Sequence, residues 1–192
     1  MKKIIKKIFM FIYHPLIFFR FTIKNNVYIN RRANIKNIKK IRFGKNISIG
    51  YDVRINFFGN DDRNKLYIGN EVYICHRVSL IVGGSISIGD NSIIASDVCI
   101  ISENHGHDLD VSIPFKDQPI TLSPVKIGNN CWIGEKVIIL PGVKIGNNVV
   151  IGAGSVVTKS IPDNCIAVGN PAKIIKCFNN EIGKWEKLIY SK

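Results

Sequence analysis

The sequence predicts an all-β fold, a triangular parallel β-solenoid, and three observations carry that reading. The first is a six-residue beat of aliphatic side chains at Ile127, Ile133, Ile139, Ile145, Ile151 and Val157. The second is a further register four residues behind it, at Cys131, Val137, Val143, Val149, Ser155 and Ile161. The third is the corner chemistry. Gly44-Lys45-Asn46, Gly69-Asn70, Gly89-Asp90-Asn91, Gly128-Asn129-Asn130 and Gly146-Asn147-Asn148 supply residues that tolerate tight or left-handed backbone. A period of six is neither helical nor that of a simple hairpin. It fits three short strands per coil, and coils that stack to bury an apolar side no single hexad can bury alone.

In chain order, residues 1–24 come first. Lys2, Lys3, Lys6 and Lys7 lead into an uncharged run from Ile8 to Phe19, divided by His14 and Pro15. That run is too short for a bilayer span, which needs about 20 residues. Neither an unbroken apolar core nor a small-residue cleavage site marks a signal peptide. Two readings stay open for this amphipathic segment: a peripheral anchor on an anionic membrane face, or a helix packed on the domain or on a neighbouring subunit. Charge is concentrated nearby. Of the 27 Lys and Arg in 192 residues, 13 lie in residues 1–45, and the first acidic residue is Asp52. The formal net charge of +13 therefore belongs to the N-terminal quarter and implies an anionic neighbour: phospholipid, acidic glycan or nucleic acid. No recognition motif for nucleic acid accompanies it, so nucleic acid is not expected.

Residues 25–176 carry the solenoid. The beat starts at Phe43, Ile49 and Ile55, breaks over Phe57–Lys65, and resumes at Ile68, Ile74 and Leu80. It slips by two residues around Gly83-Gly84, continues at Ile88, Ile94 and Ile100, and stops for residues 103–123 before restarting at Val125. An excursion from a rigid scaffold is a natural place for functional groups, and this one holds His105 and His107, two of the four histidines. Residues 177–192 are polar and suit a short C-terminal helix on the outside. The five cysteines, Cys75, Cys99, Cys131, Cys165 and Cys177, lack metal-ligand spacing and read as buried thiols in a reducing compartment.

The run from Cys131-Trp132-Ile133-Gly134 through Ile151-Gly152-Ala153-Gly154-Ser155-Val156-Val157-Thr158-Lys159, followed by Ala167-Val168-Gly169-Asn170-Pro171-Ala172-Lys173, resembles the hexapeptide-repeat acyltransferases. The resemblance covers residues 43–176 and is nearest to the O-acetyltransferases of maltose, galactosides, lipopolysaccharide and capsule. It implies a left-handed parallel β-helix, a homotrimer, and acetyl-CoA as donor with no metal. It further implies transfer to a hydroxyl of a cell-surface polysaccharide or its precursor. Such an enzyme works in the cytoplasm or on the cytoplasmic membrane face. The alternatives are N-acetylation of an amino sugar or nucleotide-linked amino sugar, and a non-catalytic scaffold.

The resemblance also assigns residues. His105 matches the family's general base, and an imidazole with an ordinary pKa of about 6.5 suits that task near neutrality. Glu103 and Asp108 are candidates to orient it. Trp132 would flank the pantetheine arm; Gly134, Ala153 and Gly154 would allow its close approach. Lys159 and Lys173 are candidates for the cofactor phosphates, and each also reads as a solvated corner. The coil Cys75–Gly84 departs from the family, whose acidic group is replaced here by glycine. His76 and Arg77 appear instead and, with His107, are candidate acceptor contacts; Arg77 reads equally as a surface arginine. Three-histidine zinc ligation, known on this fold, is not matched by His76, His105 and His107, so no metal is expected.

Overall fold

A computed structural model of the protein describes residues 25–58, 64–106 and 112–187. Every position of the two registers between Ile127 and Ile161 is buried, with none more than 4% exposed. In the earlier coils Ile49, Ile55, Ile74, Leu80, Ile94 and Ile100 join the same core, while Phe43 is half-buried. Each fully buried Ile or Val contributes about 1.5–3 kcal/mol relative to exposure. The β-branched side chains stack in columns on the inner sheet faces, where their stiffness is an advantage.

Three parallel sheets enclose this core. Face A runs through Tyr28–Ile29, Ser48–Ile49, Tyr73–Ile74, Ile93–Ile94, Trp132–Ile133, Val150–Ile151 and Cys165–Val168. Face B runs through Asn34–Ile35, Arg54–Phe57, Ser79–Val82, Cys99–Ile101, Ile138–Ile139 and Val156–Val157. Face C runs through Ile41–Phe43, Leu66–Ile68, Ile86–Ile88, Val125–Ile127 and Lys144–Ile145. The chain visits A, B and C in turn, so each strand pairs in parallel with its counterpart one coil away. Ile94, for example, lies between Ile74 and Ile133.

The corners explain the asparagines. Where face C passes to face A, each Asx oxygen accepts a hydrogen bond from the backbone of the preceding coil. The N–H of Asn70 donates to Asp90, that of Asp90 to Asn129, that of Asn129 to Asn147, and that of Asn147 to Asp163, at 2.7–2.9 Å. Where face A passes to face B, Asp52, Arg77, Asp97, Lys136 and Gly154 share a positive φ.

The ends differ from expectation. The helix expected at 177–192 is absent from the part of it that is described, residues 177–187. Lys173–Asn179 instead pairs antiparallel with Cys165–Val168, and Lys184–Lys187 pairs antiparallel with it in turn. No helix of seven or more residues, amphipathic or otherwise, occurs among the described residues. The physical reason is an open sheet edge on the last coil, whose backbone groups need partners. Local turn chemistry supplies the reversal: Asn179 Oδ1 accepts from the Glu181 N–H at 2.9 Å, and Gly183 adopts φ +64. Phe178 and Trp185 then meet edge-on across the strands. The amphipathic segment expected at 1–24 lies outside the described residues.

The cysteines need a second correction. Cys165 and Cys177 are joined in a disulfide that ties the last coil to its cap. Only Cys75, Cys99 and Cys131 are free, and burial raises the pKa of all three thiols.

Candidate active site

The excursion leaves the solenoid where face B would pass to face C, and Ser102 anchors it. This buried serine accepts from the Gly83 N–H at 3.2 Å, and its hydroxyl lies 3.0 Å from Gly84 O and 3.1 Å from Ile81 O. Its carbonyl accepts from the N–H groups of Gly84 and Ser123, so departure and return are pinned at one point. Between them Glu103–His105 pairs antiparallel with Ile120–Leu122. Gln118, also buried, donates from Nε2 to Ile113 O at 2.9 Å and holds the returning arm.

Glu103 and His105 are two residues apart on one strand, so their side chains leave it on the same side. His105 is exposed, and its ring has no hydrogen-bond partner among the described residues. Glu103 is half-buried, with Oε2 enclosed and without a hydrogen-bond partner among the described residues. Burial raises its pKa, and the neighbouring His105 partly opposes that rise. The carboxyl lies against Gly83 on the preceding coil. His107 and Asp108 fall outside the described residues.

The other candidates stand elsewhere. His76 and Arg77 occupy the A-to-B corner, six residues and about 20 Å of extended chain from Gly83. His76 stacks on Tyr51 with ring centroids 3.8 Å apart and accepts from the Tyr51 N–H through Nδ1. Arg77 donates twice to Asp97, at 2.7 Å each, and once to the Tyr51 hydroxyl at 3.1 Å. These bonds raise the Arg77 pKa and lower that of Asp97.

Trp132 is exposed on face A, in one column with Tyr73 and Ile93. Gly134 leads into the A-to-B corner, where Ala153 and Gly154 lie one coil further on. Lys159 is exposed at the corner that emits the hairpin, two coils and about 10 Å along it. Lys173 is exposed on the cap strand, opposite Val168. One chain thus unites Gly83, Glu103 and His105, shares their corner with Lys159, and distributes the remaining candidates around another corner. Sequence reasoning overlooked Ser102, although a polar residue at an inward position just before the beat stops was a usable signal. Among the described residues no group of three or more His, Cys, Asp or Glu is placed to hold a metal.

Residues 124–159 match the family model described as bacterial transferase hexapeptide (six repeats). Over 159 residues the chain is 37% identical to WbbJ of Escherichia coli, named as a lipopolysaccharide biosynthesis O-acetyl transferase, and the match spans 80% of each chain. The chain belongs to the hexapeptide-repeat acyltransferase family. Solved relatives of this acyltransferase include AntD, an N-acyltransferase from Bacillus cereus. A variant of AntD holding dTDP-4-amino-4,6-dideoxyglucose and coenzyme A is 28% identical, with TM-score 0.69, over 82% of this chain and 83% of that one. A maltose O-acetyltransferase from Clostridium difficile is 38% identical, with TM-score 0.65, over 74% and 72%. The hexapeptide-repeat protein is accordingly an enzyme of acyl transfer.

Proposed function

We propose that the protein moves an acyl group, acetyl by default, from acyl-CoA to a nucleophile on a sugar or nucleotide-linked sugar, with His105 as general base. The observation that carries this reading is the hairpin itself. It presents an exposed imidazole, without a hydrogen-bond partner among the described residues, on a scaffold shared with relatives that bind coenzyme A and amino-sugar nucleotides. The acceptor's proton passes to His105 as its nitrogen or oxygen bonds to the thioester carbonyl carbon. The tetrahedral oxyanion then collapses, the C–S bond breaks, and coenzyme A leaves, taking up that proton.

The acceptor put first is the amine of an amino sugar, free or nucleotide-linked. Likeness to AntD over more than four-fifths of the chain supports it. The hydroxyl of a surface polysaccharide or its precursor, favoured by the sequence alone, stands second. Its support is the identity to WbbJ and to the maltose enzyme.

A homotrimer belongs to the proposal. His105 and Lys159 stand at one corner, whereas Trp132, Gly134, Ala153 and Gly154 stand at another. A neighbouring copy that sets its A-to-B corner against this chain's hairpin would unite donor and base. The column Tyr73, Ile93 and Trp132, each about half exposed, offers apolar surface for that contact. No described helix is long and apolar enough to cross a membrane. We place the work at the cytoplasmic face, with residues 1–24 as its contact.

Thiol release from acetyl-CoA tests the reading, using amino sugars, nucleotide-linked amino sugars and their hydroxyl counterparts. The expected product resists mild alkali, as an amide does, and His105→Ala lowers kcat by about 10²–10⁴-fold. An alkali-labile product would put the hydroxyl first. Absence of release with every acceptor would sink the sugar acyltransferase reading.

A further inference from the structure

The corner that emits the hairpin has a notch with an occupant. Gly83 is buried, and its φ lies outside the left-handed region, so the main chain itself does not demand glycine there. Glu103 does. A Cβ added to Gly83 would stand 2.3 Å from Glu103 Oε2, 2.5 Å from its Cβ and 3.0 Å from its Cδ. The carboxyl group therefore fills the space that any side chain at position 83 would take.

This seat is costly. An enclosed carboxylate oxygen without a donor loses its hydration and gains nothing in return. The fold has no need of it, because Ser102 already anchors the hairpin through three polar contacts. An enclosed, unpaired carboxylate oxygen of this kind asks for a function. Oε1 has no hydrogen-bond partner among the described residues and is not enclosed, and it points to what the group can do.

The neighbours are suitable. His105 leaves the same side of the strand as Glu103, with Cα atoms about 7 Å apart. On the coil before Gly83, Asn56 has its own enclosed and unpaired Oδ1, and Phe58 is 41% exposed. Carboxylate, amide and phenyl ring are the groups that recognise the hydroxyl or ammonium donors and the apolar face of a sugar ring.

We propose that Glu103, seated in the notch left by Gly83, receives the acceptor. Its free oxygen accepts a hydrogen bond from a hydroxyl or a neutral amine of the sugar and holds the reacting nucleophile against His105. Gly83 is then a specificity position, since any larger residue evicts the carboxyl. The inference rests on the acyltransferase reading above.

Steady-state kinetics at saturating acetyl-CoA tests it, with glucosamine and dTDP-4-amino-4,6-dideoxyglucose as acceptors and circular dichroism to check folding. Glu103→Gln should raise the acceptor KM by about 10- to 100-fold, the size of a hydrogen bond to a charged group, and move kcat much less. Gly83→Ala should change KM in the same direction, and Glu103→Asp should recover part of the loss. An unchanged acceptor KM in Glu103→Gln overturns the inference. So does a loss confined to kcat, which would make Glu103 an orienting partner of His105. An active wild type with an indifferent Glu103→Gln refutes this inference alone; a wild type inert with every sugar acceptor refutes the function and the inference together.

Discussion

Gly134 lies hard against Ala153 on the next coil: a Cβ on the glycine would stand 2.6 Å from Ala153 N and 2.7 Å from Ile151 O. Gly154, its neighbour at the same corner, is the opposite case, with φ +71 and no atom within 4 Å of an added Cβ. One glycine serves the spacing of coils and the other serves the turn.

The two should therefore respond differently to substitution. Gly134→Ala overpacks a backbone contact and should cost about 1–3 kcal/mol. Gly154→Ala meets only left-handed strain and should cost about 1–2 kcal/mol. Asparagine tolerates that conformation, so Gly154→Asn should recover most of the loss while Gly134→Asn should be worse than alanine. Urea denaturation of the four variants reads this, and equal responses at the two sites would refute the distinction.

Ser102→Ala should loosen the hairpin without dismantling the solenoid. The Gly83 N–H loses its acceptor in a buried setting, at about 1–3 kcal/mol. Each coil leans only on its neighbours, so the effect stays local. Amide hydrogen exchange should accelerate at Glu103–His105 and Ile120–Leu122 while Ile133 and Ile151 hold their protection. Uniform acceleration along the chain would show that the serine supports the core rather than the hairpin.

The solenoid was legible because its signal repeats. Ile127 to Val157 and Cys131 to Ile161 report the same inward direction many times over, and the Asx corners between them are required by every coil. The cap was not legible because it happens once. What decides between helix and strand after Ala172 is the unpaired edge of Cys165–Val168 together with the turn at Asn179, and neither has a period. The site was legible in part. His105 announced itself as a histidine in an excursion, but the notch at Gly83 exists only once coils are stacked, when position 103 of one coil comes down upon position 83 of another. The contacts of His76 and Arg77 were hidden for the same reason. Their partners, Tyr51 and Asp97, stand at least 20 residues away in sequence and one coil away in space.

Glu103→Gln should make the protein more stable near neutral pH. Burial puts the carboxyl pKa of the folded protein above its ordinary value. Between those two values the folded chain holds a proton that the unfolded chain has released, so stability falls as pH rises through that window and stays lower above it. Glutamine has no such dependence. The advantage of Glu103→Gln over wild type should be small below the ordinary carboxylate range and grow as pH rises to 7. Urea midpoints taken across that range read the difference, and an advantage that shrinks with rising pH would refute the raised pKa. With the loss of acceptor affinity expected for the same variant, the position would trade stability for function.

The bond between Cys165 and Cys177 closes a short loop, at a sequence separation of 12, between the last coil and the strand that covers it. A loop of that length restricts the unfolded chain enough to contribute about 3 kcal/mol in the chain-entropy account. Cys177→Ser should lower the denaturation midpoint accordingly, and reductant should lower that of the wild type but not of the variant. Among the described residues the cap is also the strand that covers the Cys165–Val168 edge, so its loosening should expose that edge and promote association between chains. Alkylation of the denatured protein without reductant supplies the direct count: three thiols, Cys75, Cys99 and Cys131, are expected to react, and all five after reduction. Five reactive thiols before reduction would instead return the pair to the reduced state that scattered cysteines suggest, leaving the cap held by its strand pairing, by the Phe178 N–H to Asn164 O bond and by the packing of Ile174 on the core.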